Sequence, residues 1–204
     1  TPFPPGPPTF GAQRRMEGLM ASLARRHDVT GVSLVGPEFD ADAAERAMRS
    51  YCKEVVLVPA RPARGTGKRL LQLRSLLSSG SFETRHFSVP AFQDAIDALL
   101  RRRAYQVVSV EFPWLWPYRY RTAPPGTPAP RLVLDEHNIE HDLARQSQEA
   151  SRGVLRRVHH TLNWRKILRE ELRAWRDADG VVFTSRDDER RALALLPSIR
   201  AAAN

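Results

Sequence analysis

Six of the eight side chains in Asp135-Glu136-His137-Asn138-Ile139-Glu140-His141-Asp142 can ionise. A histidine in such a run can take up or release a proton near neutral pH, or hydrogen-bond a sugar hydroxyl or a phosphate. His137 carries this expectation. His137 and His141 stand four apart, a spacing that puts both on one helical face and could grip a metal. No third ligand is marked in the sequence, so no metal is expected. The same residues also read as a helix start, with Asn138 as the cap and Glu140 and Asp142 favouring the dipole in the first turn.

Weaker signals lie elsewhere. Phe10-Gly11-Ala12-Gln13-Arg14-Arg15 is a turn feeding a helix, whose first amides point outward toward an anion. Gly11 there would let a ligand approach the backbone. Gly65-Thr66-Gly67-Lys68 lacks the full phosphate-loop spacing, and Arg69 follows where Ser or Thr should be, so it reads as a basic surface turn. Trp114, Trp116, Tyr118 and Tyr120 sit among prolines with Arg119 and Arg121. That mixture suits a sugar platform, single-stranded nucleic acid or a membrane interface, and equally an aromatic loop packed on the core. Ser185 reads as a helix cap, and Cys52, in a helical segment, as a buried, inert thiol.

The elements that must position these residues alternate. Helical periodicity covers 11–26, a segment opening at Asp40, 68–77, 90–103, 151–178 and 187–196. In the long helix, Val154, Val158, Leu162, Leu168, Leu172 and Trp175 mark the expected apolar side. Short apolar strands fall at 29–35, 54–58, 106–110, 131–134 and 180–183. They do not alternate polar and apolar, which marks a parallel sheet covered on both faces. The expected fold is therefore α/β, a doubly wound, Rossmann-like parallel sheet that binds ligands at the carboxyl ends of its strands. The segments 61–67 and 123–130 read as loops.

Composition narrows the class. The chain has 204 residues, enough for one large domain or at most two small ones, and carries a net charge of +9. Lysines are only Lys53, Lys68 and Lys166, so 32 − 3 = 29 of the basic side chains are arginine. A basic surface suits phosphates, anionic lipid or nucleic acid, although an Arg-, Ala- and Pro-rich composition also follows from a GC-rich genome. No run approaches the roughly 20 apolar residues of a membrane span. A single cysteine excludes an internal disulfide and points to a reducing compartment such as the cytoplasm. The Pro-rich opening and the unpunctuated end at Asn204 read as those of a piece of a longer chain.

Taken in order, TPFPPGPPTFGAQRR, RHDVTGVSLV, VVSVEFP, LVLDEHNIEHDLARQ and WRDADGVVFTSRDDE resemble the N-terminal half of a GT-B (two-Rossmann-domain) glycosyltransferase. The resemblance is to the retaining family 4 kind, similar to the sugar transferases of bacterial exopolysaccharide clusters. It implies that these residues form the acceptor domain, and that a second domain binds a nucleotide sugar and carries an E-x7-E motif. The family's first strand would precede Thr1. The resemblance further implies His137 near the transferred sugar and Gly11 near the donor diphosphate. Ala12, Gln13, Arg14, Glu111, Glu136, Asn138 and Ser185 are the further expected substrate contacts. The family often has Gly-Gly where this chain has Gly11-Ala12. No metal and no cofactor beyond the nucleotide-sugar substrate is implied. The implied partners are a glycan or lipid-linked acceptor, with peripheral membrane contact and no nucleic acid. The alternative reading is a basic α/β module that binds nucleic acid or anionic membrane without catalysis. A hydrolase using His137 is disfavoured, since no G-x-S-x-G elbow is present.

Overall fold

The computed structural model describes residues 1–60, 65–76, 78–151 and 153–203, without the side chains at 65, 66, 68, 69, 73, 155 and 203. The chain is α/β with parallel sheets, as its apolar strands require. It divides into two compact units, 1–62 with 89–99, and 63–88 with 100–204.

The first unit contains α1 (Gly11–Ala24), β1 (Thr30–Val35), α2 (Ala41–Arg49) and β2 (Glu54–Pro59). β1 and β2 pair in parallel from Thr30↔Glu54 to Val35↔Pro59. Asp40 caps α2 as its type predicts, its carboxylate accepting from the Ala43 amide at 3.0 Å. Met48, Cys52 and Val55 form a small core with Met20 and Val29 around them. Burial pushes the Cys52 thiol up to about 11, so it is neutral and unreactive at ordinary pH.

The second unit contains α3 (Gly65–Leu76), α4 (Phe82–His86), β3 (Val107–Glu111), β4 (Arg131–Glu136), α6 (Glu140–Glu149), α7 (Val154–Asp177), β5 (Gly180–Phe183), α8 (Arg186–Leu195) and β6 (Ala201–Ala203). α5 (Pro90–Arg102) begins in the first unit and ends in the second. The strand order is β3-β4-β5-β6, all parallel. The α6–α7 pair links β4 to β5, and α8 links β5 to β6. A helixless stretch carrying a single 3-10 turn at Pro113–Leu115 joins β3 to β4. Leu134, Trp175, Val181 and Phe183 lie at the centre of this unit's core.

Several boundaries differ from the sequence expectation. Gly65–Gly67 open α3 instead of forming a turn, while Arg61–Arg64 and Leu77 fall outside the described residues. β4 runs through Glu136, because parallel pairing of Glu111 with Asp135 and of Glu136 with Phe183 extends the ladder past the apolar run. α4 and β6 carry no periodic signal. An all-alanine strand such as β6 forms through its ladder with β5 and not through propensity.

The expected apolar side of α7 is only half correct. Val154, Val158 and Leu162 are exposed at 78%, 51% and 38%. Trp175 is buried as expected and Leu168 and Leu172 are half-buried, while Ile167, Glu171 and Ala174 join Trp175 on the buried face. This second stripe has the same helical spacing but contains an acid, which hides it from a hydropathy reading.

Candidate functional site

Within the second unit, the carboxyl ends of β3 and β4 lie side by side. Glu111 ends β3 in register with Asp135, and His137 follows β4 directly. The imidazole Nε2 of His137 meets Glu111 Oε2 at 2.8 Å, and both residues are buried. A carboxylate only accepts, so Nε2 carries the proton and donates. Nδ1 is then the free polar atom of the ring. It has no partner among the described residues and is not sealed from solvent. Asn138, next along the chain, is exposed.

An aromatic stack fixes the plane of this histidine. His137 lies on Phe112 with ring centroids 4.1 Å apart and 17° between planes. Phe112 stacks in turn on Trp114 at 4.5 Å, and Trp114 on Phe87 at 5.7 Å. Phe112 has φ 71, a left-handed conformation costly for a bulky side chain. Such strain persists where surrounding packing over-determines the residue, and this one sits between the two strand ends that carry the site.

The turn is tied down from behind. Thr184, just past β5, donates its hydroxyl to the carbonyls of Glu136 at 3.1 Å and His137 at 2.8 Å. Glu136 points into the core, where Oε2 accepts from Trp175 Nε1 at 2.8 Å and Oε1 has no partner among the described residues. Burial first, then the neighbouring Glu171 charge, raises its carboxyl well above the usual range.

Asn138 does not cap α6. The cap residue is Ile139, which has no side-chain bond to offer. The first amides of α6 are met instead by Glu171 of α7, which is 0% exposed. Its Oε1 accepts from the Glu140 amide at 2.6 Å and its Oε2 from the His141 amide at 3.1 Å. The same carboxylate also takes the His141 Nδ1 contact. A buried carboxylate at a helix N-terminus satisfies the orphan amides and the dipole together. Burial, then the Glu171 charge, pushes the Glu140 carboxyl up to about 8 against the opposing hydrogen bond from Asn138.

The structure therefore brings Glu111, His137 and Asn138 together and turns Glu136 inward. Ser185 is the α8 cap, accepting from the Asp188 amide at 3.1 Å and donating to the Asp188 carboxylate at 2.8 Å. The residues expected at the start of α1 belong to the first unit. There Gln13 is 1% exposed, and its amide holds the preceding loop. It donates to the Pro4 carbonyl at 2.7 Å and accepts from the Thr9 amide and hydroxyl at 2.8 and 2.9 Å. Gly11 and Arg14 are exposed and Ala12 is half-buried. A Cβ placed on Gly11 would meet nothing within 4 Å, which leaves the room a ligand would need.

His137 and His141 do not form a metal pair, since His141 is held by Glu171. A different trio, Glu111, Asp135 and His137, places one ligand atom from each residue within 4.8 Å of the others. These donors would suit a divalent cation only if the Glu111–His137 hydrogen bond opened. The sequence reading marks neither Glu171 nor Thr184. For Glu171 a signal existed in its spacing with Ile167, Ala174 and Trp175.

The aromatic loop after β3 is partly core. Tyr120 is buried, its hydroxyl donating to the Leu115 carbonyl at 2.7 Å. Trp116, Tyr118, Arg119 and Arg121 line an open cavity of about 600 Å³ that also touches Leu132 and Asp177. Leu132 lies near the start of β4, so this cavity and His137 sit toward opposite ends of that strand.

The class these features define is an α/β protein of the Rossmann-like, parallel-sheet kind, with a histidine–carboxylate pair at its strand ends. Comparison of the sequence with protein-family models and with curated proteins gives no match.

Proposed function

We propose that this chain is the acceptor-side domain of a retaining, nucleotide-sugar-dependent glycosyltransferase of GT-B type, moving a sugar onto a glycan or lipid-linked acceptor. One observation carries the reading. His137 stands at the carboxyl end of a parallel strand, where such sheets take ligands, with Nε2 anchored on Glu111 and Nδ1 without a partner among the described residues. In this tautomer Nδ1 is an acceptor suited to a sugar hydroxyl, and on protonation it becomes a donor suited to a phosphate oxygen. Asn138 adds an exposed amide beside it.

His137 serves as the sugar contact, and Glu111 as the residue that positions it. The reading assigns the donor-binding half to sequence outside these 204 residues and requires no metal.

The test is sugar transfer by the protein comprising this chain and its donor half, assayed with a panel of nucleotide sugars. His137→Ala should lower kcat/KM by about 10- to 100-fold, the loss of one charge-assisted contact in the transition state. Unchanged kinetics would reduce His137 to a structural role. Turnover at an ordinary rate by residues 1–204 alone would sink the reading outright.

A further inference from the structure

We propose that the solvent face of α7 docks on an anionic lipid bilayer. It gives a place to the peripheral membrane contact that the resemblance implies, and its residues are not those of the His137 reading, so either can fail alone. Val154, Val158 and Leu162 project from the first turns of the helix, with Val154 78% exposed. Arg165, Arg169, Arg173 and Arg176 follow on the same face, all exposed. The steps of three and four residues between these seven positions keep them in one line, about 33 Å long at 1.5 Å per residue.

No acid interrupts the line. Glu171 is buried at the α6 cap, and Glu170 turns aside to accept from the Ser81 amide at 2.8 Å and the Thr84 hydroxyl at 2.9 Å. Asp177, at the helix end, pairs with Arg173 at 3.4 Å. Arg165, Arg169 and Arg176 make no ion pair among the described residues.

Charge complementarity alone would suit either lipid headgroups or a nucleic-acid backbone. The aliphatic end of the line decides between them. Exposed valine and leucine gain nothing against phosphodiesters, but they enter the acyl boundary of a bilayer while the arginines engage the headgroups. The helix binds in the plane of the surface, since no described helix is long and apolar enough to cross a membrane.

The experiment is co-sedimentation of the 204-residue protein with phosphatidylcholine vesicles carrying about one-third phosphatidylglycerol, beside pure phosphatidylcholine vesicles and a short DNA duplex. Binding should favour the anionic vesicles and weaken as salt rises. Each basic residue at such a surface contributes roughly fivefold, so Arg165→Glu with Arg169→Glu should lower the partition coefficient about 25-fold or more. Val154→Ser with Val158→Ser should weaken vesicle binding while leaving its salt dependence in place. All four side chains are exposed, so unchanged circular-dichroism melts are expected and serve as the folding control. Equal binding to neutral and anionic vesicles, no binding to either, tighter binding to the duplex, or indifference to both double variants would each overturn the proposal.

Discussion

Removing Glu171 should release the segment that carries His137, because this one carboxylate holds the start of α6. Two backbone amides and the His141 ring converge on it, and it is fully buried. In Glu171→Ala those donors lose a charged acceptor inside the core. Hydrogen bonds to charged groups contribute about 1.5–3 kcal/mol each, but they are not additive here. An offset comes from Glu136 and Glu140, whose carboxyls are both raised by the Glu171 charge and are relieved when it goes. Breaking a buried charged cluster by removing one member typically costs about 3–5 kcal/mol, and we expect the lower half of that range.

At about 2–4 °C per kcal/mol for a protein of this size, the midpoint of thermal unfolding should fall by roughly 6–16 °C. Glu171→Gln is gentler. It keeps one acceptor oxygen but turns an NH2 toward the remaining donors, for about 2 kcal/mol. Glu149→Ala is the control, an exposed residue whose ion pair with Arg145 contributes under about 0.5 kcal/mol. Because the chain has two compact units, one unfolding curve need not report the site alone. Hydrogen exchange at the Glu140 and His141 amides supplies the local measurement, and protection there should drop in Glu171→Ala. A loss below about 1 kcal/mol with those amides still protected would refute the assignment of Glu171 as the cap.

Glu111→Gln should change the tautomer of His137: nitrogen-15 shifts of the imidazole should show protonation at Nε2 in the parent and a mixture with Nδ1–H in the variant, whereas an unaltered spectrum would remove Glu111 as the positioning residue. The pH dependence of stability follows from the buried acids. Glu140 titrates at about 8 in the folded chain, and Glu136 is raised well above its usual range, against about 4.3 for an unfolded glutamate. The native state therefore holds protons that the unfolded state has released, so this contribution is complete below about pH 4.3 and is lost as pH rises through about 8. Urea unfolding at pH 5, 6.5 and 8 should show the parent weakening across the range more steeply than Glu140→Gln, and identical slopes would contradict the placement of that proton.

The parallel α/β architecture was legible because its strands are apolar throughout and its helices repeat at three and four residues. The location of the site was legible for a related reason, since a polar run after an apolar strand can only emerge at the strand's end. The partners were not legible. Glu111 and His137 are 26 positions apart and meet only through the β3–β4 register. The α6 cap comes from a residue 31 positions away, so a local rule selects Asn138 when the distant Glu171 does the capping. The resemblance implies Glu136 as a substrate contact. Strand alternation sends neighbouring side chains to opposite faces, and it puts Glu136 against Trp175.

These inward and outward acids serve one arrangement. Glu136, held in the core on Trp175, keeps the last residue of β4 beneath the turn, and Glu171, also in the core, sets where α6 begins. Thr184 then fixes the two carbonyls between them. The single freedom left to His137 is rotation of its ring. Phe112 restricts that rotation by stacking, and Glu111 removes it by selecting one nitrogen. A ring needed only for packing could be fixed by its stack alone. The carboxylate on Nε2 leaves Nδ1 as the acceptor, which is the polarity the proposed sugar contact needs.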